Sequence, residues 1–347
     1  MSATILASAA QRFPADMEND SRPLRPLRVL VTGVDGAVGG NLAGWLAQRA
    51  TAIGLYRDHP LAIPGCQTAP WDPSRKGAVA RAVREVRPEW IIYCGPFSRG
   101  SWDVPDTAPA VGPEIAVCKA LADASRRRGA RLAVVSTDAV FAGPRLFHDE
   151  QSQAASRHAF GRAAMEIERA LEGAGALVVR THAYGPSPRD GECCFAEKVW
   201  LALAEGFACD IDPRRHATPI FAADLAGLMW LAYRRGLQGV CHIAGAERTS
   251  PYRFAAELAF LAGLRWPGRT PPPDMPTFAA TDGAGETSLD TRLARRELGR
   301  PMPMLREGLA RFLAQVRDPA ASRRSAQPVV GVEDATATAL PARRFAS

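Results

Sequence analysis

The stretch TGVDGAVGG, residues 32–40, sets Gly33, Gly36 and Gly39 three residues apart. It follows the strand-like run Arg28 to Val31 and opens a segment in which Val38, Leu42, Trp45 and Leu46 recur at helical spacing. Glycines in that place suit pyrophosphate binding. The turn is tight, the backbone must approach the phosphates, and a helix N-terminus offers unpaired amides and the positive end of its dipole. A glycine triplet by itself marks no more than a turn. Its position between a strand and an amphipathic helix makes Gly33, Gly36, Val38 and Gly39 a candidate dinucleotide cradle.

The next apolar run, TAIGLY, ends in Arg57 and Asp58. An acidic residue at such a strand end bonds the adenosine ribose 2′-hydroxyl, whereas arginine suits a 2′-phosphate. Arg57 comes first, and a guanidinium grips phosphate at two points, so the expected cofactor is NADP, with NAD left open. In so arginine-rich a chain, Arg57 fits a solvated surface group equally well. Further along, Arg214, Arg215 and His216 have the chemistry to meet an anionic substrate such as a nucleotide diphosphate, and they fit an exposed loop just as well.

These groups need a scaffold that brings strand ends together. LRVLVTG, TAIGLY, EWIIYCG, RLAVVST and ALVVRT are strand candidates, each followed by a helical or mixed segment. That alternation predicts an α/β fold, a doubly wound parallel sheet with helices on both faces. Residues 1–26 read as a flexible leader ending in SRPLRPL, and WPGRTPPPDMP (266–276) reads as a loop by its proline density. MLREGLARFLAQV should form the last helix, closing near Val316, and residues 317–347 lack periodicity and read as a disordered tail.

Composition narrows the function classes. At 347 residues the chain can bury a sizeable core, and 47% hydrophobic with 23% charged residues is ordinary for a globular protein. The formal charge of +7 invites a nucleic-acid reading, but the positive residues are scattered and nearly all arginine, so no basic footprint forms. The seven cysteines show no paired CxxC spacing, which argues against a metal centre and for buried free thiols. The N-terminal apolar run lacks a basic region ahead of it, and no apolar run approaches bilayer-spanning length. The expected location is cytoplasmic, with no membrane and no nucleic-acid partner.

Seven segments carry a family likeness. TGVDGAVGG, STDAVFAG (136–143), FGRAAMEIE (160–168) and VRTHAYGP (179–186) resemble the extended short-chain dehydrogenase/reductases. The subgroup they are similar to is the dTDP-4-dehydrorhamnose reductase-like, sugar-nucleotide-binding proteins. TPIFAADLAGLM, GVCHIAGAERTSPYRFAAELA and ETSLDTRLARRELG continue the likeness in order, so it spans about Leu27 to Val316. The resemblance implies a Rossmann-type NAD(P)-binding domain over 27–185 and a smaller, interleaved substrate-binding region over 186–316. It implies that Gly33, Gly36 and Gly39 hold the pyrophosphate, that Asp72 of WDPS approaches the adenine, and that Gly95 and Pro96 line the cofactor groove. Thr137 matches the hydroxyl residue that polarises the substrate carbonyl, and Tyr184 and Gly185 match the end of a later strand.

The likeness breaks where the chemistry is done. Active relatives keep a tyrosine and a lysine four residues apart, at the places held here by Phe160 and Ala164. A phenol becomes a usable acid only beside a cation, and neither group is present. No shift of register restores the pair, because no tyrosine lies between Tyr93 and Tyr184 and no lysine between Lys119 and Lys198. Phe160, Ala164, Ile167 and Leu171 instead form an apolar stripe at helical spacing. Ala139 follows Ser-Thr-Asp where relatives have tyrosine, and Glu114 stands where they often have asparagine. His158, two residues before Phe160, is a substitute acid by chemistry, although it should leave the helix entry at a different angle. The expected function is therefore an NADP(H)-binding homologue that regulates a partner enzyme or binds without turnover. The alternative is an atypical reductase or epimerase of a nucleotide-linked sugar. Partners would be the dinucleotide, then a nucleotide-sugar or a partner enzyme, with a homodimer as one assembly. If only two side chains were lost, Phe160→Tyr/Ala164→Lys should restore part of a reductase's activity.

Overall fold

The structure is a computed structural model that describes residues 26–317 except 59, 106, 157, 190–193, 208–210, 212–214 and 267–284. The leader up to residue 25, nearly all of the proline-dense stretch and the tail from 318 lie outside the described residues.

In chain order the elements are β1 (Arg28–Thr32), α1 (Ala37–Leu46), β2 (Thr51–Tyr56), β3 (Gln67–Pro70), α2 (Ala78–Val86) and β4 (Trp90–Cys94). Then follow α3 (Val111–Arg128), β5 (Arg131–Thr137), α4 (Ala159–Ala170), β6 (Leu177–Thr181), β7 (Ala183–Tyr184) and α5 (Phe195–Ala204). The last are β8 (Ile220–Phe221), α6 (Ala222–Arg235), β9 (Gly239–His242), α7 (Pro251–Ala262), α8 (Arg292–Leu298) and α9 (Leu305–Arg317).

The main sheet runs β3-β2-β1-β4-β5-β6-β9, parallel throughout. The expected apolar runs are its five inner strands, and β4 is buried along its whole length. That is why they read as continuous Val/Ile/Leu rather than alternating: a parallel strand covered on both faces has no solvent side. One face packs Leu30, Ile91 and Val134 under α2, α3 and α4. The other packs Val31, Ile92 and Val135 under α1 and α6. A third cluster joins Trp102, Tyr184 and Phe221 to α5, α7 and α9. The chain winds outward from β1 to β3, then crosses back to β4. Strand order therefore reverses at the carboxyl ends of β1 and β4, where such sheets open a crevice.

Two strands escape the apolar pattern for physical reasons. β3 is a half-exposed edge ending in Pro70, held by its register against β2. β9 begins at Gly239 and arrives late in the chain to extend the sheet beyond β6. α9 ends one residue past the expected stop. No described helix is long and apolar enough to cross a membrane.

Candidate functional site

The glycine turn explains its own composition. Gly33 has φ +63°, and a Cβ there would sit 1.8 Å from the carbonyl oxygen of Cys94. A Cβ on Gly39 would sit 2.2 Å from the carbonyl oxygen of Gly33. These two glycines let the turn, α1 and β4 close on one another. Gly36 differs: a Cβ there would meet nothing nearer than 3.6 Å, and it caps α1 with no side chain bonded to the first-turn amides. Open space in front of unpaired helix amides is what an anion needs.

A cleft of about 290 Å³ opens here. Of the residues expected to bind the cofactor, Gly33, Gly36, Val38, Arg57, Gly95 and Pro96 line it. Gly39 does not, because it serves helix–strand packing. Asp72 does not either: it is exposed and folds back on Ser74 Oγ at 2.6 Å, and that hydroxyl leads the effects holding its carboxyl below the usual range. Trp71 takes its place in the wall, with an indole Nε1 that has no hydrogen-bond partner. Arg57 is engaged on two sides. Its backbone N–H donates to Asp35 at 3.3 Å, and its guanidinium pairs with Glu114 at 3.4 Å.

At the β4 end the cleft is walled by Ser98, Arg99, Gly100 and Asp103, facing Ala183, Ser187, Arg189 and Cys194. Asp103 accepts the Phe195 N–H at 2.6 Å. Burial pushes its carboxyl above the usual range, outweighing the pull of His182, the Phe195 amide, Lys198 and Arg99. A carboxyl raised in this way loses folding stability as pH climbs from its unfolded value near 4 through its folded one. Asp103→Asn should therefore melt about 2 °C or more above the parent at pH 8 and within error of it at pH 3.5. Equal shifts at both values would show that ionisation is not the cause.

The residues expected to act on or bind substrate, and the two at the family's Tyr and Lys places, lie elsewhere. Thr137 is 0% exposed, and its hydroxyl accepts the Ala139 N–H at 3.0 Å. Phe160 is 0% exposed and tilts against Phe97 with centroids 4.9 Å apart, and Ala164 is 1% exposed. His158 caps α4, its Nδ1 accepting the Phe160 N–H at 3.3 Å. Arg215 donates to the Ser101 carbonyl, and the His216 backbone pairs in a β-bridge, its N–H donating to the Gly285 carbonyl and its carbonyl accepting the Thr287 N–H. None of these six is among the described residues lining the cleft.

Behind the Gly100 wall sits a buried polar knot. Asp138, 0% exposed, accepts the Ser101 N–H and Oγ–H at 2.8 Å each, Thr287 Oγ1–H at 2.5 Å and His182 Nδ1–H at 2.9 Å. Burial alone would raise its carboxyl, but His182 and the hydroxyls of Thr287 and Ser101 bring it below the usual range. Glycine at 100 is required by this arrangement, since a Cβ there would stand 2.8 Å from the His182 ring. Sequence reasoning missed Trp71, Tyr93, Asp103 and Arg189. Only the position of Asp103 and Ser98 after the β4 strand end offered any signal.

Known proteins share this architecture. Methionine adenosyltransferase 2 subunit beta of Xenopus tropicalis is 25% identical over 254 residues, 69% of this chain and 75% of that protein. Among solved structures, dTDP-4-dehydrorhamnose reductase of Bacillus anthracis in complex with NADP has a TM-score of 0.64 at 22% identity, covering 84% of this chain and 99% of that one. The Bordetella bronchiseptica enzyme WbmG, in complex with NAD and UDP, has a TM-score of 0.67 at 16% identity, covering 86% of this chain and 97% of that one. A profile of the RmlD substrate binding domain matches residues 27–318, nearly the whole described chain, and the protein belongs to that family.

Proposed function

We propose that this protein is an NAD(P)(H)-binding member of its family that has given up reductase chemistry and works by binding, as a regulatory homologue of a partner enzyme. The observation that carries this reading is Phe160, buried against Phe97 where active relatives have an acidic phenol. The cradle meanwhile keeps what a dinucleotide requires: Gly36 stands open before the α1 amides, and Arg57 and Trp71 line the same cleft. Gly33, Gly36 and Val38 would hold the pyrophosphate, with Arg57 and Trp71 at the adenosine end. Bound dinucleotide would supply hydride chemistry only if a proton donor stood beside it. The relation to a subunit of methionine adenosyltransferase supports a role exercised through a partner.

A second reading, an atypical reductase or epimerase of a nucleotide-linked sugar, has Asp103 in its favour, a carboxyl in the cleft wall with raised proton affinity. WbmG, solved with UDP, supports the substrate class. One experiment separates the two. NADPH titrated calorimetrically should bind at micromolar concentration, and oxidation with a 4-keto sugar nucleotide should stay far below the usual 1–10³ s⁻¹. Turnover in that range overturns the first reading, and its loss in Asp103→Asn would identify the acid.

A further inference from the structure

Three residues far apart in sequence meet beside the adenosine end of the cleft. Tyr93, at the end of β4, donates its phenol to one carboxylate oxygen of Glu114. The other oxygen takes Nη2 of Arg57 at 3.4 Å. The partners are unequal. The Glu114 side chain is 6% exposed and that of Arg57 is 47% exposed, so the carboxylate is fixed while the guanidinium can swing. Glu114 lies in the first turn of α3, where the helix dipole favours a negative charge.

The charges around Arg57 are mixed. Asp35 accepts its backbone N–H, Asp58 follows it, and Arg189 reaches Asp35 at 4.0 Å. Arg57, Asp35, Asp58 and Arg189 all line the cleft. With Glu114 behind them, three carboxylates face two guanidinium groups. A 2′-phosphate brought here must draw Arg57 from a buried carboxylate, which then loses its cation, and must approach two further carboxylates, Asp35 and Asp58. Stranding a buried charge is among the costlier events in a protein. A ribose 2′-hydroxyl asks for neither.

We infer that Glu114 is the specificity-determining residue at the adenosine end: by holding Arg57 it removes the preference for a 2′-phosphate that arginine at this position would otherwise confer. The inference rests on the reading that the cleft holds a dinucleotide. The unmodified protein then binds NADH and NADPH with affinities within about tenfold of each other, a difference of no more than about 1.4 kcal/mol. Glu114→Gln keeps the acceptor for Tyr93 and removes the charge.

The test is calorimetric titration of NADH and NADPH into the full chain and its Glu114→Gln variant. NADPH should tighten about tenfold in the variant while NADH changes less than about twofold. An unchanged NADPH-to-NADH ratio, or NADPH weakened more than NADH, overturns the inference. The parent protein provides an independent check that no folding defect can spoil. Raising salt from 50 to 300 mM should leave the NADPH-to-NADH affinity ratio flat or move it toward NADPH, because screening relieves repulsion. A ratio that collapses with salt would reveal an open arginine–phosphate pair and overturn the inference. Loss of both dinucleotides at millimolar concentration would instead sink the cleft reading itself.

Discussion

Replacing Asp138 by alanine is expected to destabilise the protein by about 3–5 kcal/mol, the range for breaking a buried charged network. Five donors converge on this carboxylate: the Ser101 amide and hydroxyl, the Thr287 hydroxyl, His182 Nδ1–H and, at 3.4 Å, the Thr137 hydroxyl. Alanine leaves them facing one another in a site closed to water, and each orphaned donor costs about 1–3 kcal/mol, less than additively. The knot also joins the turn after β4, the β6–β7 link and the segment before α8, so three parts of the chain loosen together. A fall in melting temperature of about 10 °C is the expected readout, from the usual 2–4 °C per kcal/mol for large domains. Asp138→Asn should lose less, since its amide oxygen still accepts. The same carboxyl predicts an acid limb. Its folded-state proton affinity is depressed, so its stabilisation is complete above the unfolded value near 4 and is lost as pH falls through the folded one. Asp138→Asn should flatten that limb. If the alanine variant melts within about 2 °C of the parent, the knot contributes little to stability.

Phe160→Tyr/Ala164→Lys is the second large effect, and the structure reverses its expected outcome. Sequence alone suggested that two side chains separate this protein from a reductase. Both positions prove to be core. The space bounded by Ala164, Phe97, Val134, Ser136 and Ile167 amounts to about 10 Å³, too little for a lysine stem. The acid lining that space is Glu168, already committed to Arg180 at 2.7 Å and to the Ser136 hydroxyl. An overpacked, unpaired amine and a buried phenol should together cost about 4 kcal/mol or more. NADPH oxidation should not appear, because Phe97 stands against the ring that would carry the new hydroxyl. Measurable turnover in this variant would mean that Phe97 swings aside when dinucleotide binds.

The same contrast runs through the site. Gly33 and Gly39 were legible because part of their requirement is local: a left-handed φ at Gly33, and a close approach of α1 to the Gly33 carbonyl at Gly39, leave glycine as the residue that fits. The five inner strands were legible because burial on both faces writes itself as an unbroken apolar run. β3 and β9 were not, since QTAP and GVCH are held by their neighbours' backbone rather than by their own side chains. Asp72 was assigned to the adenine by its motif, yet one residue of rotation in the loop turns Trp71 inward and Asp72 to solvent.

The amino-acid order determined by itself the fold class, the glycine turn and the lack of any tyrosine between Tyr93 and Tyr184, because each is read from residue type along the chain. Tertiary structure alone decided that Arg57 is shared with Glu114, that Asp103 rather than His158 faces the cleft, and that Phe160 is sealed behind Phe97. Those outcomes depend on which side chains from distant strands and helices compete for the same small volume, and no local spacing encodes that competition.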